Sequence, residues 1–100
     1  MIARIWTAVA TPANAAKYRE HFEQHVRPAM RALDGHGGAA LLQRDAGELL
    51  ELLVITRWQS WDAIRAFAGD DVEQAVVASE AQALLAGWDD RVRHYEVVIE

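Results

Sequence analysis

Residues 58–71, WQSWDAIRAFAGDD, decide how this chain folds. They read as the end of a strand at Trp58, then a short helix that Ser60 can cap and Gly69 can close. A serine side chain accepts a hydrogen bond from a free first-turn N–H, and Asp62 stands where the helix dipole favours an anion. Glycine supplies the left-handed stop. Asp70 or Asp71 then opens a second helix, because Glu73 and Gln74 each lie three residues past an aspartate and offer two capping boxes. The alanine-rich stretch that follows predicts helix up to Gly87. The segment VRHYEVV, residues 92–98, belongs to a last strand predicted over 91–99.

Upstream, residues 2–9 (IARIWTAV) are apolar at both alternating sets of positions, as in a strand covered on both sides. Thr11-Pro12 is a helix start, with threonine capping and proline at the first helical position. Ala15, Tyr18, Phe22, Val26, Ala29 and Leu33 then recur every three or four residues as one apolar stripe. Pro28 lies inside it, lacks an N–H for the carbonyl of Gln24 and crowds it, so the helix is predicted to bend or restart there. Asp34 to Gly38 ends the helix. Residues 39–44 and 48–58 form a hairpin about a turn at Asp45-Ala46-Gly47. The sum is β-α-β-β-α-β: an α+β, ferredoxin-like fold with an antiparallel sheet, in a single domain over 1–100.

One hundred residues allow one core, and so small a core gains from a partner's surface. A hydrophobic content of 52% with 25% charged residues describes a chain that folds. The absence of cysteine excludes disulfides, thiolate nucleophiles and cysteine-bound metals. The formal charge is −5 and the basic residues are scattered, so no nucleic-acid partner is expected. No segment approaches the ~20 apolar residues of a membrane span, and Ile5 to Ala10 is too short for a signal-peptide core. A cytoplasmic protein without membrane partners is the expectation.

Strand parity places Leu50, Leu52, Val54, Thr56 and Trp58 on one face, which is expected to lie under the helices. Leu49, Glu51, Leu53, Ile55 and Arg57 take the other. Arg4 and Trp6 share a face opposite Ile5, Thr7 and Val9; His94, Glu96 and Val98 share one opposite Tyr95, Val97 and Ile99. The second sheet face is therefore expected to carry Arg4, Trp6, Glu51, Arg57, His94 and Glu96 among Leu49, Leu53, Ile55 and Val98. That mixture is too apolar for water and predicts a homodimer packed sheet to sheet.

Several constellations bear on chemistry. His21 and His25 stand four apart on a helix, a metal-ligand spacing, but Glu23 points ~200° away and no third ligand is near, so no metal is expected. His94 reads better as an interface hydrogen-bonding residue than as a catalytic base. Neither Ser60 nor Ser79 sits in a nucleophile elbow, and Gly35, Gly37 and Gly38 follow a helix where a phosphate loop would precede one. The aromatic residues are more informative. Tyr18, Phe22, Trp58 and Phe67 can converge between helices and sheet on a cavity suited to a flat aromatic ligand, with Thr7, Tyr18 and His25 as polar contacts. Thr7, Tyr18, Phe22, His25, Trp58 and Phe67 are thus the candidate substrate-binding residues, ordinary core packing is the alternative, and no catalytic residue is assigned.

The order of elements, with WQSWDAIRAFAGDD and VRHYEVV, resembles the antibiotic biosynthesis monooxygenase family, whose members fold as dimeric α+β barrels. The resemblance implies oxidation of a small aromatic phenol to a quinone without metal or flavin, the substrate's own anion reducing oxygen. It also implies a pocket tryptophan at the end of the third strand, matched by Trp58. An asparagine expected earlier on the same face is replaced by Val54. The haem-degrading branch uses an asparagine, a tryptophan and a histidine where this chain has Trp6 or Thr7, Phe67, and Val76 or Val77, so haem breakdown is not expected. The resemblance implies no cofactor. A ligand-binding or stress-associated dimer without catalysis is the alternative function, and a module whose cavity is filled by its own side chains is a third.

Overall fold

The computed structural model describes residues 1–100. Strand β1 (Ile2–Ala10) leads into helix α1 (Pro12–His21), a wide π turn (Phe22–Val26) and helix α2 (Arg27–Arg31). Strands β2 (His36–Ala46) and β3 (Leu49–Trp58) form the hairpin, and helix α3 (Trp61–Ala68) follows. A single-turn helix α4 (Ser79–Gln82) precedes two short strands, β4 (Gly87–Trp88) and β5 (Arg93–Glu96). The sheet runs β2-β3-β1, and β4 and β5 both pair antiparallel with β1, forming one interrupted edge strand. This is the ferredoxin-like order expected of the sequence.

The expected caps form. Thr11 accepts from the Asn14 N–H at 3.2 Å with Pro12 just inside the helix, and Ser60 accepts from the Ala63 N–H at 3.1 Å. Near Pro28 the helix widens where a bend or restart was predicted. The Arg27 N–H reaches the Phe22 carbonyl, five residues back. A π turn holds one residue more than an α turn, so the apolar stripe shifts by one beyond it. Met30 is therefore buried, while Leu33, expected on the stripe, is 36% exposed.

Two expectations are corrected. The helix predicted from Asp70 or Asp71 to Gly87 reduces to the four residues of α4. Residues 71–74 make a turn, the Gln74 N–H bonding the Asp71 carbonyl at 3.1 Å, and 73–75 then meet 90–92, with Val92 N–H to Glu73 carbonyl and Ala75 N–H to Asp90 carbonyl both at 2.8 Å. Val72, Val76 and Val77 are β-branched and resist helix, and the Arg91–Asp71 ion pair ties the start of the turn to the facing segment. Gly87 consequently lies in β4, and the last strand ends at Glu96, leaving Val98 exposed beyond it.

The second correction concerns the sheet faces. Arg4 pairs with Thr56, and Trp6 with Val54. Residues directly opposite in an antiparallel pair share a face, so Arg4 and Trp6 lie on the helix-covered side. His94 pairs with Arg4 and faces the same way. The parity within β1 was legible, but the charge of Arg4 misassigned the face.

Burial alternates along β3 from Leu52 to Trp58, the even-numbered residues buried and the odd ones half-exposed. The buried side packs into two clusters. One joins Ala10, Ala15, Tyr18, Phe22, Leu52, Val54 and Ala81; the other joins Ile2, Met30, Trp58 and Ile64.

Candidate functional site

A cavity of about 390 Å³ borders both clusters, between the sheet and the helices. That volume falls in the range of small-ligand pockets. Arg4, Trp6, Val54 and Thr56 form its floor on the sheet. Tyr18, His21, His25, Val26, Ala29 and Met30 form a wall on the first helical segment. Phe67, Val92 and the stretch from Val76 to Ala81 complete it. The π turn matters here, because it lies between His21 and Met30 and sets which side chains of that wall face the cavity.

Of the six residues singled out from the sequence, Tyr18, His25 and Phe67 line this cavity and Thr7, Phe22 and Trp58 do not. Thr7 faces the opposite side of the sheet and donates to the Asp89 carboxylate. Phe22 is packed into the core at 2% exposure. Trp58 has no exposed surface; its ring stacks on Phe67 at 5.1 Å and its Nε1–H donates to Thr56 Oγ1 at 2.9 Å. It therefore stands directly behind two lining residues. Val54 lines the cavity, as do Trp6, Phe67, Val76 and Val77.

The polar groups in this apolar space are few. Burial pushes the Tyr18 hydroxyl up to about 12, so it remains a proton donor at neutral pH. His21 Nε2 is fully buried with no hydrogen-bond partner in the chain. Its ring lies 5.9 Å from that of Tyr18 and 5.4 Å from that of His25, centroid to centroid. His25 is exposed, at the mouth. A buried ring nitrogen without a partner is costly and uncommon.

Sequence reasoning missed Arg4 as a site residue. It is 4% exposed, and desolvation holds its guanidinium down to about 10. It stays a cation at neutral pH. Nη1 donates to the Val72 carbonyl and meets His94 Nε2 at 3.0 Å, while Nη2 donates to the Gln74 carbonyl at 2.7 Å. Since Arg4 only donates, His94 accepts through Nε2 and its ring is neutral. The His94 pKa is lowered, first by desolvation and then by Arg4, with Glu73 opposing. This corrects the expectation of an interface role: His94 supports Arg4, with Trp61 edge-on at 5.0 Å. The turn at 71–74 and the bridge of Gln74 to Arg91 bring the Val72 and Gln74 carbonyls to Arg4, while the Glu73 carbonyl accepts from the Val92 N–H. An arginine within an otherwise apolar opening strand was the available signal.

A ferredoxin-like α+β protein with one apolar, sparsely polar cavity between helices and sheet is the class this geometry defines. The model of the antibiotic biosynthesis monooxygenase family matches residues 1–79, and the chain belongs to that family. Among solved structures, a candidate antibiotic biosynthesis monooxygenase from Deinococcus radiodurans is 18% identical with a TM-score of 0.69, over 100% of this chain and 95% of that one. A heme-degrader, MhuD from Mycobacterium tuberculosis, solved with two hemes in its active site, is 25% identical with a TM-score of 0.64, over 100% and 98%. No curated protein matches the sequence. No helix of the chain is long and apolar enough to cross a membrane.

Proposed function

We propose that this chain is a cofactor-independent oxygenase of a small aromatic phenol, acting in the cavity between helices and sheet as a homodimer. The observation that carries the reading is a largely apolar cavity lined by Tyr18 and by His21, whose Nε2 has no partner in the chain and whose ring lies 5.9 Å from that of Tyr18, centroid to centroid. A phenol seated there gives its proton to His21, and the Tyr18 hydroxyl donates to the phenolate oxygen so formed. The electron-rich anion then reduces dioxygen. One oxygen atom enters the ring, the other leaves as water, and the phenol becomes a quinone. The balance needs one dioxygen per quinone and no other oxidant. Haem breakdown is a poorer reading despite the likeness to MhuD, because the tryptophan and histidine that the haem-degrading branch uses are replaced here by Phe67 and by Val76 or Val77.

The dimer is proposed from the opposite sheet face. Ile5, Val9, Leu53 and Ile55 are half-exposed there and Leu42 is 47% exposed, a contiguous apolar surface without a helix over it.

An oxygen electrode tests the chemistry. With 1-naphthol or an anthrol as substrate, the wild type should consume one dioxygen per quinone formed, and His21→Gln should slow the reaction by roughly 10²-fold or more, the scale of a lost general base. Tight binding of these phenols without oxygen uptake would favour the alternative, a ligand-binding dimer without catalysis.

A further inference from the structure

Arg4 has no acidic partner. The ion pairs of the chain join Arg27 to Glu23, Arg44 to Glu51, Arg57 to Glu100, Arg65 to Asp62 and Arg91 to Asp71. Glu80 lines the same cavity but is exposed and makes no bond to Arg4. A buried guanidinium held by two carbonyls, a neutral imidazole and the face of Phe67, 5.5 Å from the ring centroid, meets no anion, an arrangement that is unfavourable unless an anion joins it. Its donors are also incompletely used. A guanidinium carries five N–H groups, and the three contacts here occupy both hydrogens of Nη1 and one of Nη2. The Nε–H and the second Nη2 hydrogen remain. Residues 72–75 and His94 fix the group rigidly, so little rotamer entropy is lost when a ligand meets it.

We propose that the ligand of this cavity is an aromatic monocarboxylate, its ring lying among Trp6, Val54, Phe67 and Val92 and its carboxylate accepting from the two free donors of Arg4. Two oxygens match two donors, as in carboxylate–arginine pairs generally. A single guanidinium in an apolar wall balances one negative charge, so a monoanion fits better than a phosphate dianion. The inference rests on the reading of the cavity as the ligand site. It names the ligand's charged group: a hydroxyaryl carboxylate would place the phenol at His21 and the acid at Arg4.

Calorimetry on the wild type decides between these statements, with 2-naphthoate, 2-naphthol and the neutral 2-naphthamide as probes at pH 7. Naphthoate is expected to bind at least tenfold more tightly than the amide. Arg4→Gln, which can still donate to one of the two carbonyls, is expected to erase that difference. Should Arg4→Gln fail to fold, the acid-to-amide ratio of the wild type decides alone. Equal binding of acid and amide overturns the anion site and leaves the cavity reading intact. Preference for naphthol over naphthoate overturns it too, in favour of a phenol held without a carboxylate. No binding by any probe overturns the cavity reading and this inference with it.

Discussion

Trp58 shows what a single residue owes to its surroundings. Its parity put it on the covered face, and there it is, with no surface exposed. Its ring is clasped by Phe67, stacked at 5.1 Å, and by His36, edge-on at 5.1 Å. It therefore acts on the cavity only through Phe67 and Thr56. Trp58→Ala should behave as a large-to-small core truncation costing about 3–5 kcal/mol, measured by urea denaturation. A mutant as stable as wild type that had lost ligand binding would return Trp58 to the pocket. Arg4 is the reverse case. Sequence alone put it on the second sheet face, among the charges of a dimer contact, because its burial under the helices depends on carbonyls some 70 residues away. No local pattern carries that contact. His21 was legible as a histidine at ligand spacing, but its unpartnered nitrogen appears only when Tyr18 and the cavity are assembled around it.

At the scale of elements, turns and caps were the most readable features, since each rests on a few neighbouring residues. Gly35 illustrates how tightly one of them is specified. Its φ is +82°, and a Cβ placed there would come 2.7 Å from the Cβ of Ala63 on α3. The Gln59 N–H also bonds its carbonyl at 2.8 Å, tying the end of the first helical segment to the start of α3. Gly35→Ala thus combines a strained backbone with a clash and should cost about 1–3 kcal/mol or more, read as a drop in the urea midpoint. An unchanged midpoint would show that this junction can yield. The segment after Gly69 was the least readable. Two capping boxes and an alanine-rich run argue locally for helix, yet Gln74 bridges Arg91 and its carbonyl serves Arg4. Long-range bonding outweighs a propensity difference of a few tenths of a kcal/mol per residue. Likewise, Pro28 announced a disturbance, but whether the helix bends, breaks or widens depends on what the next turn must bury.

The whole molecule leaves one question for solution measurement, and the sheet frames it. One side of β3 is sealed under helices while Leu53 and Ile55 on the other are only half covered by their neighbours. A chain of this size buries a smaller share of its unfolded surface than a larger domain does, and a second sheet laid on this face would bury the aliphatic residues of both copies. Arg44 and Glu51 already pair at 2.9 Å along the same face, so it carries few unmatched charges into such a contact. The wild type should sediment at about twice 11.2 kDa at micromolar concentration, and Leu53→Glu should sediment as a monomer with its secondary structure retained. The substitution separates two roles of this face. In a free monomer a glutamate at a half-exposed strand position is tolerated, whereas in a dimer it buries two unpaired carboxylates near a symmetry axis, a cost of several kcal/mol. A wild type that stays monomeric and folded on dilution would leave this face as an unpartnered surface and the cavity as the property of a single chain.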